Sequence, residues 1–216
     1  MKTRILTALV ALPIIIAAII LPIWVPQAVW LFTAIGAFAM AAGLFEFYSL
    51  TKKLELKADA AVGYLWAICL FIGFVFDAPT KQPDLILATI AVFIMALLVS
   101  QMFRFKADFS KMLTGIGVTM LGVMYVAFLG GYLVAMRMGF ENRPNLSTHL
   151  LGYFFIVIFA SDTGAYFTGR ALGKHKLAPA ISPGKTVEGL IGGIVAAAAG
   201  AAIASYTFFP ELPFAW

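Results

Sequence analysis

Long apolar runs separated by short polar breaks dominate this chain. Seven of the runs have membrane-spanning length, at residues 5–24, 28–50, 61–76, 85–103, 112–136, 150–169 and 187–209. Backbone amides in hydrocarbon must find their hydrogen-bond partners inside the segment, so each run predicts a helix rather than a strand. The third is the shortest, and reaches the headgroups only with flanks such as Ala60 or Asp77. Glycines punctuate the fifth run (Gly115, Gly117, Gly122, Gly130, Gly131) and the seventh (Gly189, Gly192, Gly193, Gly200). Small residues let helices approach closely, and Gly189 with Gly193 has the GxxxG spacing of a packing face. The expected fold is all-α: a polytopic transmembrane helical bundle of about seven spans, forming a single integral membrane domain over 1–216. No Ser/Gly linker, low-complexity tract or fixed-period repeat interrupts it.

Composition agrees with that pattern. Apolar residues make up 62% and charged residues 12%, against roughly 45–50% and about 25% in soluble domains, an excess that one soluble core of this size cannot hide. The net charge of +5 does not imply nucleic-acid binding, because basic membrane proteins owe such a balance to their cytoplasmic loops. With the N-terminus inside, one set of span ends carries Lys2, Arg4, Lys52, Lys53, Lys57, Arg104, Lys106, Lys111, Arg170, Lys174, Lys176 and Lys185. The other carries Lys81, Arg137 and Arg143. This asymmetry predicts a cytoplasmic N-terminus, with the 170–185 loop facing the cytoplasm. Lys2 and Arg4 precede an apolar run, Ile5 to Ile20, that is longer than a secretion signal's and is followed by no small-x-small cleavage site, which reads as a retained first span. Cys69 is the one cysteine, which excludes an internal disulfide and leaves a small buried hydrophobe. Trp24, Trp30 and Trp66 fall near span ends as interfacial anchors, and His149 reads as interfacial on the non-cytoplasmic side.

Charged residues inside spans are costly, so each is a functional candidate. Three qualify: Glu46, Asp162 and Glu188. Asp162 lies in Phe159-Ala160-Ser161-Asp162-Thr163-Gly164-Ala165-Tyr166, eight residues before Arg170, or about 12 Å along a helix. Tyr166 and Arg170 share its helix face. The carboxylate is either a metal or phosphate-site ligand or the partner of a structural ion pair with Arg170 or a neighbouring helix. The following stretch brings Arg170, Lys174, His175, Lys176, Ser182, Lys185 and Thr186 together with glycines and prolines. Arg and Lys bind phosphate oxygens, and glycine permits close backbone approach. Thr186 is placed to cap the seventh helix, with Glu188 in its first turn, where the helix dipole favours negative charge. The simpler alternative is a basic loop that only touches anionic lipid. Gly184-Lys185-Thr186 is no P-loop, since Pro179 stands where that motif needs a glycine. Glu46, near the end of the second span, either lines a polar cavity or pairs structurally. For His175, no second histidine lies at metal-ligand spacing.

The runs Ser161-Asp162-Thr163-Gly164-Ala165-Tyr166, Gly169-Arg170, Gly173-Lys174-His175-Lys176-Leu177-Ala178-Pro179 and Ile181-Ser182-Pro183-Gly184-Lys185-Thr186-Val187-Glu188-Gly189 closely resemble bacterial phosphatidate cytidylyltransferases, the CDP-diacylglycerol synthases. Val187 stands where members carry an aromatic residue, and the similarity extends more weakly to Glu46-Phe47-Tyr48 and Tyr125. The resemblance implies transfer of a cytidylyl group from CTP to phosphatidate, giving CDP-diacylglycerol and pyrophosphate with Mg2+ or another divalent cation. It implies an enzyme of phospholipid biosynthesis in the cytoplasmic (inner) membrane, a homodimer, and a site facing the cytoplasm. Carried onto this chain, Asp162, Lys185 and Glu188 are the expected catalytic residues, Asp162 also the metal ligand. Arg170, Lys174, His175, Lys176, Ser182, Thr186 and Tyr166 are expected to bind substrate, with Glu46 in the cavity. The family's C-terminal signature has no match here: a serine, Lys-Arg and Lys-Asp pairs, His-Gly-Gly and Asp-Arg-x-Asp. The expectation is of a shortened member whose 216 residues alone have little or no activity. Two other readings stand beside it, a transporter or channel using the intramembrane carboxylates and a non-catalytic membrane scaffold.

Overall fold

The computed structural model describes residues 2–76, 84–105, 108–140 and 144–209. Lys81, Lys106 and Arg143, which enter the charge asymmetry, and the Asp77 flank lie outside the described residues. Helices form wherever the apolar runs predict them: α1 (Lys2–Ile20), α2 (Val29–Lys53), α3 (Ala60–Phe76), α4 (Asp84–Arg104), α5 (Phe109–Gly122), α6 (Leu129–Met138), α7 (Pro144–Leu172) and α8 (Val187–Phe208). A π-helical segment, Val123–Phe128, joins α5 to α6, so the two continue as one rod, Phe109–Met138. Five rods are long and apolar enough to cross a membrane, and two apolar helices, Ala11–Ile23 and Ala60–Phe76, are shorter. Large apolar side chains such as Phe38, Leu65, Met95 and Ile194 stand exposed on these rods, as a lipid environment requires. The chain is a membrane-type helical protein.

The chain divides into two compact units, Met1–Ser147 and Thr148–Trp216. In the first, α3 packs against α2, α4, α5, the π segment and α6. Leu44, Leu70, Phe74, Phe93, Leu97 and Val123 are fully enclosed in its core. Trp66 is less an interfacial anchor than a packing residue: it donates from Nε1 to the Thr89 carbonyl at 2.9 Å and its ring lies 5.8 Å from that of Phe93. Trp24 and Trp30 remain exposed. Arg137 departs from its reading as a flanking charge. It belongs to α6, is 3% exposed, and donates from Nη1 to Ser147 Oγ at 3.3 Å.

At the other end of this unit, α2 and α4 finish while α3 and α5 begin. Asp59, just before α3, ties these ends together. Its Oδ2 accepts from Ser100 Oγ at 3.2 Å and from the fully buried Gln101 Nε2 at 3.1 Å, and lies 3.6 Å from Arg104 Nη1. Its backbone N–H donates to Thr119 Oγ1 at 2.8 Å. Asp108 caps α5 by accepting from the Lys111 N–H at 3.1 Å. Hydrogen bonding from the Lys111 side chain, 2.6 Å away, holds its carboxyl below the usual range. Helix α2 closes in a Schellman pattern, Leu56 N–H donating to Thr51 O at 3.0 Å and Glu55 N–H to Lys52 O at 3.1 Å. Glu55 takes the left-handed position with φ 59°, a place glycine occupies more cheaply, by about 1 kcal/mol.

The second unit contains most of α7, a short hairpin and α8. The segment expected as a loop instead forms a hairpin: β1 (Lys176–Ala178) pairs antiparallel with β2 (Ser182–Thr186), with Lys176 opposite Thr186, Ala178 opposite Ser182 and an irregularity in register between them. Its turn follows from Pro179, fixed at the second position of a β-turn closed by Ile181 N–H on the Ala178 carbonyl at 3.1 Å. The expected glycine face is present. A Cβ at Gly193 would lie 3.1 Å from Ala165 Cβ and 3.2 Å from the Ser161 carbonyl, and one at Gly189 would lie 3.0 Å from the Ala165 carbonyl. These positions bring α8 directly onto α7.

Candidate active site

Where α7, the hairpin and the start of α8 converge, they enclose a cleft of about 580 Å³. From α7 it takes Asp162, Tyr166 and Arg170, which occupy successive turns of one face. From β2 it takes Gly184, Lys185 and Thr186, and from α8 Gly189 and Leu190. The position of β2 follows from three local features. Thr186 accepts from the Gly189 N–H at 3.1 Å and so caps α8, as predicted from the sequence. Gly169 on α7 and Gly173 just beyond it leave room for the Thr186 side chain. Lys176 Nζ donates to the Pro183 carbonyl at 2.7 Å, bracing one strand on the other.

Two polar features define the cleft. Arg170 Nη1 donates to the Tyr166 hydroxyl at 2.9 Å, which turns the guanidinium along the α7 face. Among the described residues Asp162 has neither a hydrogen-bond nor an ion-pair partner. The ion pair between Asp162 and Arg170 considered from the sequence is therefore not formed. A carboxylate without a partner among the described residues and two cations, Arg170 and Lys185, share one concave space, and such cations are suited to phosphate oxygens.

Not every predicted residue lines this space. Glu188 turns back to the hairpin: Oε2 accepts from the backbone N–H of Lys174 at 3.1 Å and of His175 at 3.2 Å, and Oε1 lies 2.6 Å from His175 Nδ1. Lys174, His175, Lys176, Ser182 and Glu188 belong to the hairpin and its clasp, outside the lining residues. Glu46 lies on α2 in the first unit, exposed. Among the described residues no three His, Cys, Asp or Glu side chains gather as a metal cluster. Sequence reading missed the Asp59 network, because Asp59 lies between spans and its partners, Ser100, Gln101 and Arg104, sit some forty positions away.

A profile of the cytidylyltransferase family matches residues 2–216. The chain belongs to the cytidylyltransferase family. Within that family it is 32% identical over 208 residues to a phosphatidate cytidylyltransferase of Bacillus subtilis (strain 168), an alignment covering 91% of this chain and 68% of the relative. A second relative, the phosphatidate cytidylyltransferase of Staphylococcus haemolyticus (strain JCSC1435), is 32% identical over 195 residues, 90% of this chain and 68% of its own. The phosphatidate cytidylyltransferase of Haemophilus influenzae is 47% identical over 72 residues, 33% of this chain and 25% of that protein. No solved structure matches this cytidylyltransferase-family chain.

Proposed function

We propose that this protein transfers a cytidylyl group from CTP to phosphatidate, forming CDP-diacylglycerol and pyrophosphate as a nucleotidyltransferase of phospholipid synthesis. The observation that carries the proposal is the Asp162 carboxylate, unpartnered among the described residues, sharing a cleft with Arg170 and Lys185, in a chain whose relatives are phosphatidate cytidylyltransferases. Lipid acceptor and soluble nucleotide meet at a membrane surface, and we place the site at the cytoplasmic face of the inner membrane, where the basic 170–185 segment belongs by its charge.

In the reaction a phosphate oxygen of phosphatidate attacks the α-phosphorus of CTP. A new P–O bond forms as the bond from that phosphorus to the bridging oxygen of the β-phosphate breaks, and pyrophosphate leaves with the electron pair. The barrier is mainly the approach of two polyanions. Lys185 and Arg170 hold the triphosphate, and their fixed charges stabilise the departing pyrophosphate. Tyr166 sets the Arg170 guanidinium. Gly184 admits a phosphate close to the backbone of β2. The donor set suits Mg2+, which binds proteins through one or two carboxylates and takes the rest of its shell from substrate phosphates and water. Asp162 would be the carboxylate, and the bound cation would supply further positive charge to the transferring phosphates. Glu188 and His175 act by fixing the hairpin, whose second strand carries Gly184 and Lys185. Assembly as a homodimer is part of the proposal and is checked by the mass of the detergent-solubilised protein.

Asp162→Asn and Lys185→Ala test the site. Because Asp162 has no partner to lose among the described residues, its replacement should leave thermal stability within about 0.5 kcal/mol. Mg2+-dependent CTP binding should drop at least a hundredfold, a loss of about 2.7 kcal/mol, and CDP-diacylglycerol formation should fall with it in a full-length version carrying the same substitutions. Unchanged nucleotide binding and turnover in both variants would remove the assignment.

A further inference from the structure

A second cleft, of about 780 Å³, lies wholly in the first unit, at the end where α2 and α4 finish and α3 and α5 begin. Four cations line it, Lys52, Lys57, Arg104 and Lys111, with the single carboxylate of Glu55. Arg104 is 3.6 Å from Asp59, and Lys111 is 2.6 Å from Asp108. Lys52 and Lys57 have no ion-pair partner among the described residues. Like charges gathered around a concave surface are unfavourable without a counter-ion, and they concentrate an anionic ligand. The cleft is also built rather than incidental. Asp59, held by Ser100 and Gln101, positions Arg104, and Asp108 positions Lys111. Glu55, one of the lining residues, takes the left-handed position that ends α2.

We propose that this cleft, formed by residues of the first unit, binds the phosphate of an anionic membrane phospholipid. Both a lipid headgroup and free phosphate have the required charge. The apolar surroundings select the lipid: Leu50, Phe103 and Phe109, beside the cationic residues on α2, α4 and α5, are each more than half exposed, and Leu56 and Ala58 line the cleft itself. Acyl chains have an apolar surface there, while the headgroup meets the lysines. Glu55 moderates the site, its negative charge opposing the phosphate.

Native mass spectrometry of the whole chain in neutral detergent tests this with phosphatidylglycerol against phosphatidylcholine. Phosphatidylglycerol has no phosphomonoester, so its binding is read independently of the proposed reaction. It should be retained at least tenfold better than phosphatidylcholine. Lys52→Gln and Lys57→Gln should each weaken that retention about fivefold, the worth of one interfacial lysine. Lys53→Gln, one residue away and outside the lining, should leave it unchanged, and Glu55→Gln should strengthen it. Excess inorganic phosphate should not displace the lipid. Equal retention of the two lipids overturns the proposal, as does an equal loss from Lys53→Gln, which would signify a diffuse field. Displacement by inorganic phosphate overturns the assignment to lipid. Circular dichroism of each variant confirms that helicity is retained.

Discussion

Oε1 of Glu188 lies 2.6 Å from Nδ1 of His175, and the same carboxylate accepts the backbone N–H groups of Lys174 and His175. One side chain in the first turn of α8 thus fastens the entry to the hairpin. The hairpin in turn brings Lys185 and Gly184 into the cleft. Glu188→Ala should leave those two N–H groups without their acceptor while the Thr186 cap keeps α8 in place. Hydrogen exchange at Lys174 and His175 should quicken, and CTP binding should weaken several-fold with membrane insertion unaffected. If exchange at both amides stays as slow as in the parent, the clasp does not hold the hairpin.

Arg170 depends on Tyr166 in a simpler way. The guanidinium donates to the phenol oxygen at 2.9 Å, so Tyr166→Phe removes an acceptor and leaves the ring. One hydrogen bond is worth about 1 kcal/mol, and the expected result is a rise of about fivefold in KM for CTP with kcat changed less. An equal fall in kcat would place the hydroxyl among the reacting groups instead.

The packing of α7 on α8 makes a steric prediction. A Cβ at Gly164 would run into Ala196 Cβ and lie 2.8 Å from the Gly192 carbonyl, a backbone atom that cannot swing aside. Gly164→Val should therefore separate the helices and cost about 1–3 kcal/mol, seen as a lower thermal transition and a loss of CTP binding. Gly117, where an added Cβ meets nothing within 4 Å, is the control. Gly117→Ala should leave both readouts unchanged.

These relationships differ in how far the sequence exposed them. Helix positions were legible because lipid imposes a single rule, a long apolar run, and the runs at 28–50 and 187–209 became α2 (Val29–Lys53) and α8 (Val187–Phe208). The Thr186 cap and the Asp162–Tyr166–Arg170 face were legible because both are local, fixed by helical periodicity. The hairpin was not. Its strands are three and five residues long, too short for alternation to register against prolines and glycines, and the Glu188 clasp that fixes it spans thirteen positions. Arg137 escaped for another reason. Its place at a span end suggested an aqueous charge, and only the fold shows Ser147 brought against it.

Asp59 gives the most demanding prediction, because its side-chain partners lie on α4, some forty positions away. Gln101 is fully buried, and its Nε2 is satisfied by Asp59 Oδ2 at 3.1 Å. Ser100 and Arg104 converge on the same oxygen. Asp59→Ala leaves that amide without its acceptor in an enclosed site, and hydrogen bonds to a charged acceptor are worth about 1.5–3 kcal/mol. The thermal transition of the first unit should fall accordingly. Asp59→Asn, which keeps one carbonyl oxygen for Gln101 but loses the charge facing Arg104, should recover most of that loss. This ordering separates the two contributions: a buried hydrogen bond dominates if Asn is close to the parent. If Asn is as damaging as Ala, the charge on Arg104, 46% exposed at its side chain, matters far more than surface ion pairs of about 0–1 kcal/mol normally do.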